Sequence, residues 1–131
     1  MTTANATFQV TGWDEQTFVE LDGDGKLTQA TVQQAISGDI EGSSEVRWLM
    51  AYTAGDRAEF VGVRTVTGAL GTKSGSFVLR SVGTFDGKQA VGDLTVVEGS
   101  GTGDLAGISG TGSFEAPMGD TATVTLDYFL A

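Results

Sequence analysis

Eight segments of the chain alternate apolar and polar residues with a period of two, and Gly or Asp follows almost every one of them. Successive side chains of an extended strand point to opposite faces, so this alternation marks strands with one buried face. "ATFQVTGW" (6–13) sets Ala6, Phe8 and Val10 against Thr7, Gln9 and Thr11. "EVRWLMAYT" (45–53) sets Val46, Trp48, Met50 and Tyr52 against Glu45, Arg47, Leu49 and Ala51. The other candidates span 27–40, 58–70, 74–85, 90–98, 108–116 and 122–131. No stretch of 12 or more residues keeps a helical period, and one helical turn is expected near Asp104–Ala106. Short connections and regular spacing suggest a meander, closed into a barrel or folded as a sandwich. The long strands favour the barrel, which leaves no exposed edge. The expected fold is thus all-β, a single domain over residues 1–131 built as one eight-stranded antiparallel β-barrel.

Composition narrows the chemistry. The chain carries a net charge of −10 and no His, with a pI of about 4.1 and no Cys. An acidic surface argues against nucleic acid and against anionic membranes, both of which need a basic footprint. Without His or Cys there is no zinc site of the usual kinds, no thiol nucleophile and no Ser-His-Asp triad. Acid–base work falls to Asp, Glu, Tyr, Lys or Arg, and no metal or cofactor is expected. The first ten residues lack a basic and apolar leader pattern, and no apolar run approaches 18 residues. The expected location is the cytoplasm, with no membrane span.

Two motifs invite stronger readings than they sustain. "ELDGDGKLTQAT" (20–31) resembles an EF-hand loop, with Glu20, Asp22, Asp24, Gly25 and Leu27 in place. The twelfth position is Thr31 rather than Glu, and both flanks read as strand. It is expected to be an acidic hairpin loop at one mouth of the barrel, with at most incidental cation binding through Asp22 and Asp24. "GSGTGDLAG" (99–107) carries the G-x-G-x-x-A spacing, but Gly107 and Gly110 end any helix at once. A dinucleotide site needs a βαβ unit, so the segment reads as a Gly-rich crossover.

Trp13, Trp48, Tyr52 and Tyr128 are aromatics with polar tips, ordinary core residues unless they face a lumen. Eight strands enclose a space that side chains just fill or that holds one small ligand. Arg64 sits in mid-strand among valines. Inside a barrel it would need an anionic partner, from protein or ligand; outside it is an ordinary solvated side chain. Asp127 falls on the face opposite Tyr128.

"FQVTGWDE", "GDIEGSSEVRWLMAY", "FVGVRTVTGALGTKSGSFVL", "GTFDG", "VVEGSGTGDLAGISGTGSFEA" and "LDYFL" run in order along nearly the whole chain. Together they resemble an uncharacterised bacterial family, a domain of unknown function that shares the allene oxide cyclase-like β-barrel. "GSGTGDLAGISG" is also similar to the Gly-rich segment of dirigent proteins, which use a related barrel. The resemblance implies an apolar central cavity, and relatives of this fold guide cyclisations of reactive hydrophobic molecules by holding one conformer. The chain departs from the family pattern at Ser81, where His is frequent, at Arg64-Thr65, where Glu-Arg is frequent, and at Leu94, where Trp is frequent.

Two functions are therefore expected in competition. One is a cofactor-free cyclase or isomerase whose substrate lies against Trp48, Met50, Phe60, Phe77, Leu79, Ser81, Leu94 and Leu126, with Tyr52, Arg64 or Tyr128 polarising a carbonyl or epoxide oxygen. The other is a non-catalytic, lipocalin-like carrier or sensor of a hydrophobic metabolite. Apolar residues on both faces of several strands also point to a homodimer packed through the outer face.

Overall fold

β-branched and aromatic residues fill the alternating segments, and their crowding at Cβ favours extended backbone. The computed structural model describes residues 1–23, 25–54, 57–117 and 121–130. Its strands are β1 (Thr2–Glu20), β2 (Lys26–Gly38), β3 (Ile40–Ala54), β4 (Arg57–Leu70), β5 (Lys73–Phe85), β6 (Gln89–Val96), β7 (Ser109–Pro117) and β8 (Thr121–Phe129). Each strand pairs antiparallel with the next, and β8 returns to β1 from Thr2↔Tyr128 to Gln9↔Thr121. The result is a closed eight-stranded barrel. Apart from the strands, the described residues hold one 3-10 turn at Gly103–Leu105, one residue ahead of the expected helical turn. Among the described residues no helix is long and apolar enough to cross a membrane.

β1 is the departure. Its alternation reads as a strand only to Trp13, yet the strand runs 19 residues to Glu20. Register shifts at Val10/Gly12 and Thr17/Val19 mark bulges in the pairing with β2. A bulge adds one residue and turns the following side chains to the other face. Past the first one, Trp13 and Glu15 stand on the inner side, opposite buried Val32 and Ala30. The polar sequence hides this strand end, because neither of its faces is fully buried.

The two ends of the barrel differ. At one end lie the β2–β3 and β4–β5 turns; Gly71 takes φ 64° in the latter, a left-handed conformation that favours Gly. The crossover from β6 to β7 closes this end. After Val96 the chain runs back along the first half of β5, with Thr102 N–H donating to the Ser76 carbonyl at 2.8 Å. The Thr102 and Ser100 hydroxyls accept from the amides of Ser76 and Val78, each at 3.0 Å. Leu105 and Ile108 are fully buried there as a plug. Phe77, Leu79, Leu94, Val96, Val124 and Leu126 fill the adjoining lumen. This end is a packed floor, and the "GSGTGDLAG" segment is the expected crossover that closes it. The last residues of β1, β3, β5 and β7 and the first residues of β2, β4, β6 and β8 lie at the other end.

Three inner aromatics lie directly opposite glycines in the pairing register: Trp48↔Gly62, Phe60↔Gly83 and Phe114↔Gly92. A Cβ on Gly62 would meet Trp48 at 2.5 Å, one on Gly83 would meet Phe60 at 2.7 Å, and one on Gly92 would meet Phe114 at 2.6 Å. Each ring therefore lies against the bare backbone of its neighbour, and space remains in front of it.

Candidate functional site

That space is a cavity of about 330 Å³, toward the small end of the range for small-molecule sites. Its apolar wall is made by Trp48, Met50, Phe60, Phe85 and Phe114, with Val10, Ala90, Ala116, Pro117 and Ala122 between them. Trp48 meets Phe60 edge-on, their centroids 4.8 Å apart and their planes at 74°. Phe114 leans on both rings at 6.1–6.2 Å. Such offset and edge contacts fix the rings in place.

Polar groups sit at two levels. Deep in the lumen, Arg64 is 2% exposed and still lines the cavity. Its guanidinium carbon lies 5.2 Å from the Trp48 ring centroid, 5.4 Å from Phe8 and 5.7 Å from Phe114. One Nη donates to Oε1 of buried Gln34 at 3.2 Å. Nε has no hydrogen-bond partner among the described residues. Burial alone pulls the Arg64 pKa down from 12.5 to about 10. The guanidinium is thus a charge held in place at neutral pH by aromatic faces and one neutral amide.

At the mouth, the half-buried Glu15 carboxylate collects three donors. Thr28 Oγ1 donates at 2.7 Å, the Tyr52 hydroxyl at 2.9 Å and Trp13 Nε1 at 3.2 Å. Tyr52 is pushed up to about 12, first by burial and then by the bond to Glu15 and the charge of Glu15. It remains a neutral phenol whose proton is committed to Glu15. The Lys26 ammonium lies 5.2 Å from the Tyr52 ring centroid.

The structure brings together Trp48, Met50, Tyr52, Phe60 and Arg64 from the expected site. Phe77, Leu79, Ser81, Leu94 and Leu126 face inward as well, but they are buried away from the cavity on the floor side. Ser81 pairs with Leu94, and its hydroxyl has no partner among the described residues. Tyr128 lies at the opposite end of the barrel, beside Leu70 and Lys73. Asp127 accepts a hydrogen bond from Thr3 Oγ1 at 2.6 Å, a link across the β1–β8 seam. Glu15, Gln34, Phe85 and Phe114 were not expected at the site. Phe85 and Phe114 are legible as inner positions from alternation, whereas Glu15 reaches the inner side only through the bulge. The acidic loop after Glu20 lies at the mouth, and Asp24 falls outside the described residues. Among the described residues no three acidic side chains gather as a metal site.

A family model described as "Protein of unknown function (DUF3224)" matches residues 4–128. The chain is also similar to a solved structure from Shewanella oneidensis MR-1, a protein of unknown function from the DUF3224 family. The two share 25% identity and a TM-score of 0.83, over 100% of this chain and 98% of that one. No curated protein matches.

Proposed function

The chain belongs to the DUF3224 family of proteins of unknown function, so no activity comes with membership, and from the geometry we propose that it is a small-molecule-binding barrel. It takes a hydrophobic molecule through the open mouth and holds it bent against the aromatic wall, as a cofactor-free cyclase or isomerase would. The observation that carries this reading is the division of the lumen into a packed floor and an open aromatic chamber. A barrel built only for stability would fill both halves. Holding a reactive chain near its attack geometry supplies several kcal/mol of barrier reduction without any nucleophile, which suits a chain lacking Cys and His.

A carrier is the second reading, favoured by one detail: the Tyr52 proton is engaged with Glu15 and is not free to polarise a substrate oxygen. Native mass spectrometry of purified protein, followed by turnover assays on reactive polyenes and epoxides, separates the two. Product ratios that differ from the uncatalysed reaction support the enzyme. Bound cargo without conversion supports the carrier. Failure to bind any apolar probe counts against both.

We also infer a homodimer. On the outer face, Leu49, Val61 and Val82 form one row across β3, β4 and β5, with Val63 beside it; their exposures are 52%, 48%, 54% and 54%. Arg47 and Arg80 lie on the Val63 side of the row and Glu59 on the other. A two-fold axis running along the row would set the arginines of one copy over Glu59 of the second. Isologous interfaces require this self-complementarity.

A further inference from the structure

We propose that the ligand is a monoanion, a carboxylate on an apolar body, and that it binds head-inward with its charge on Arg64. This rests on the reading of the aromatic chamber as a ligand site and names the class of molecule it takes.

The argument begins with the cost of the cation. A guanidinium taken out of water is retained in proteins when it is paired or hydrogen-bonded. Arg64 has neither a carboxylate partner nor a full set of acceptors among the described residues. Its one protein acceptor is the Gln34 amide, and Nε makes no bond. Aromatic faces soften the charge without neutralising it. A Met or Leu would pack this position at no electrostatic cost, so the cation is not there for packing. Because Arg64 borders the cavity, the missing counter-charge can arrive with the ligand.

The surroundings select which anion. Among the described residues Arg64 is the one cation in the cavity lining, Lys26 standing outside it over the Tyr52 ring at the mouth, and the remaining wall is mainly apolar. Glu15 stands at the mouth with its carboxylate held by Trp13, Thr28 and Tyr52, and the whole chain carries −10. A phosphate dianion would be repelled on entry and left half-compensated inside. A single carboxylate matches one guanidinium, which can bind it through two parallel hydrogen bonds. The apolar body then fills the space between Phe60, Phe85 and Phe114, and a neutral tail meets Glu15.

The test uses one body with two heads, 4-phenylbutanoate and 4-phenylbutanamide, titrated calorimetrically into the protein. Charge-assisted bonds at a desolvated site predict that the acid binds roughly 10- to 100-fold more tightly than the amide. Arg64→Met should bring the two affinities together. Arg64→Lys, which keeps the charge, should retain a preference for the acid; circular dichroism confirms that each variant folds. Equal binding of acid and amide to the natural protein overturns the anion assignment and leaves the chamber as a ligand site. Binding of neither probe overturns the chamber reading and the assignment together. An acid preference that survives Arg64→Met also overturns it, because the charge would then sit elsewhere.

Discussion

A methyl group on Gly62 tests how the chamber wall is built. The new Cβ would lie 2.5 Å from both the Arg47 carbonyl oxygen and Trp48 Cε3, and 3.0 Å from Trp48 Cζ3. Carbon contacts are most favourable near 3.5–4.0 Å, so the shortfall is about 1 Å on two sides. The carbonyl belongs to the neighbouring strand and cannot retreat without prising β3 from β4. Trp48 has Phe60 at 4.8 Å and the Arg64 guanidinium carbon at 5.2 Å, so its ring can move only into the chamber. Overpacking of this kind costs about 1–3 kcal/mol. Alanine returns roughly 0.4–1 kcal/mol by restricting the unfolded chain. The net destabilisation is about 1–2 kcal/mol, or roughly 3–10 °C for a domain of this size. Thermal unfolding followed by near-ultraviolet circular dichroism reads both the midpoint and the Trp48 environment. Gly62→Ala in a Trp48→Leu background should cost less, since part of the clash is gone. If Gly62→Ala keeps its midpoint within about 1 °C and leaves the tryptophan band unchanged, the ring does not lie on Gly62 and the account of the wall is wrong.

Other consequences are equally direct. Arg64→Met combined with Gln34→Leu should raise the melting temperature of ligand-free protein, because the fall from 12.5 to about 10 corresponds to about 3 kcal/mol spent keeping the charge dry; a lower midpoint refutes that cost. In folded protein, absorbance at 295 nm should show one tyrosinate step near pH 12 from Tyr52, and Glu15→Gln should bring that step down. Tyr52 ionises near pH 10 once unfolded, so its contribution to stability is whole below pH 10 and is lost as pH climbs from 10 to 12. Leu105→Ala should cost about 2–5 kcal/mol by hollowing the floor plug, measured by urea unfolding. Val61→Glu should convert the dimer to monomer in light scattering; a natural protein that is already monomeric at high micromolar concentration removes the dimer.

Most of the architecture is legible in the sequence because one face of each strand is buried and period-two alternation reports burial. Segments 27–40, 58–70 and 74–85 recur almost unchanged as β2, β4 and β5, whereas the face of Arg64 stayed open in the sequence, because Val61 and Val63 on one side of β4 read as apolar as Phe60 and Val66 on the other. The second half of β1 was illegible for the same reason: Asp14, Gln16, Thr17 and Glu20 leave no apolar face to read, and strand pairing alone extends it. The bulge that brings Glu15 inward depends on register with β2, which no local pattern carries. The division between floor and chamber also escaped the sequence. Phe77 and Phe60 read alike as inward aromatics, and which of them meets open space depends on where the 97–108 crossover folds back. Tyr128 illustrates this: its face is legible, but its distance from Tyr52 along the barrel axis is a property of the closed sheet.

Closure of that sheet joins the most distant parts of the chain. Seven of the eight pairings connect consecutive strands, while β1 meets β8 across more than a hundred residues, as in the Thr3–Asp127 bond at a separation of 124. Loop-closure entropy makes that pairing the costliest to bring together. The chamber does not exist until it forms, since Val10 and Trp13 come from one side of the seam and Thr121 and Ala122 from the other. A ligand seated there bridges the seam and binds only the closed form. It should lengthen the half-life of the folded barrel in inverse proportion to the unoccupied fraction, so that the interval before the barrel opens becomes a clock that reads whether the chamber is filled.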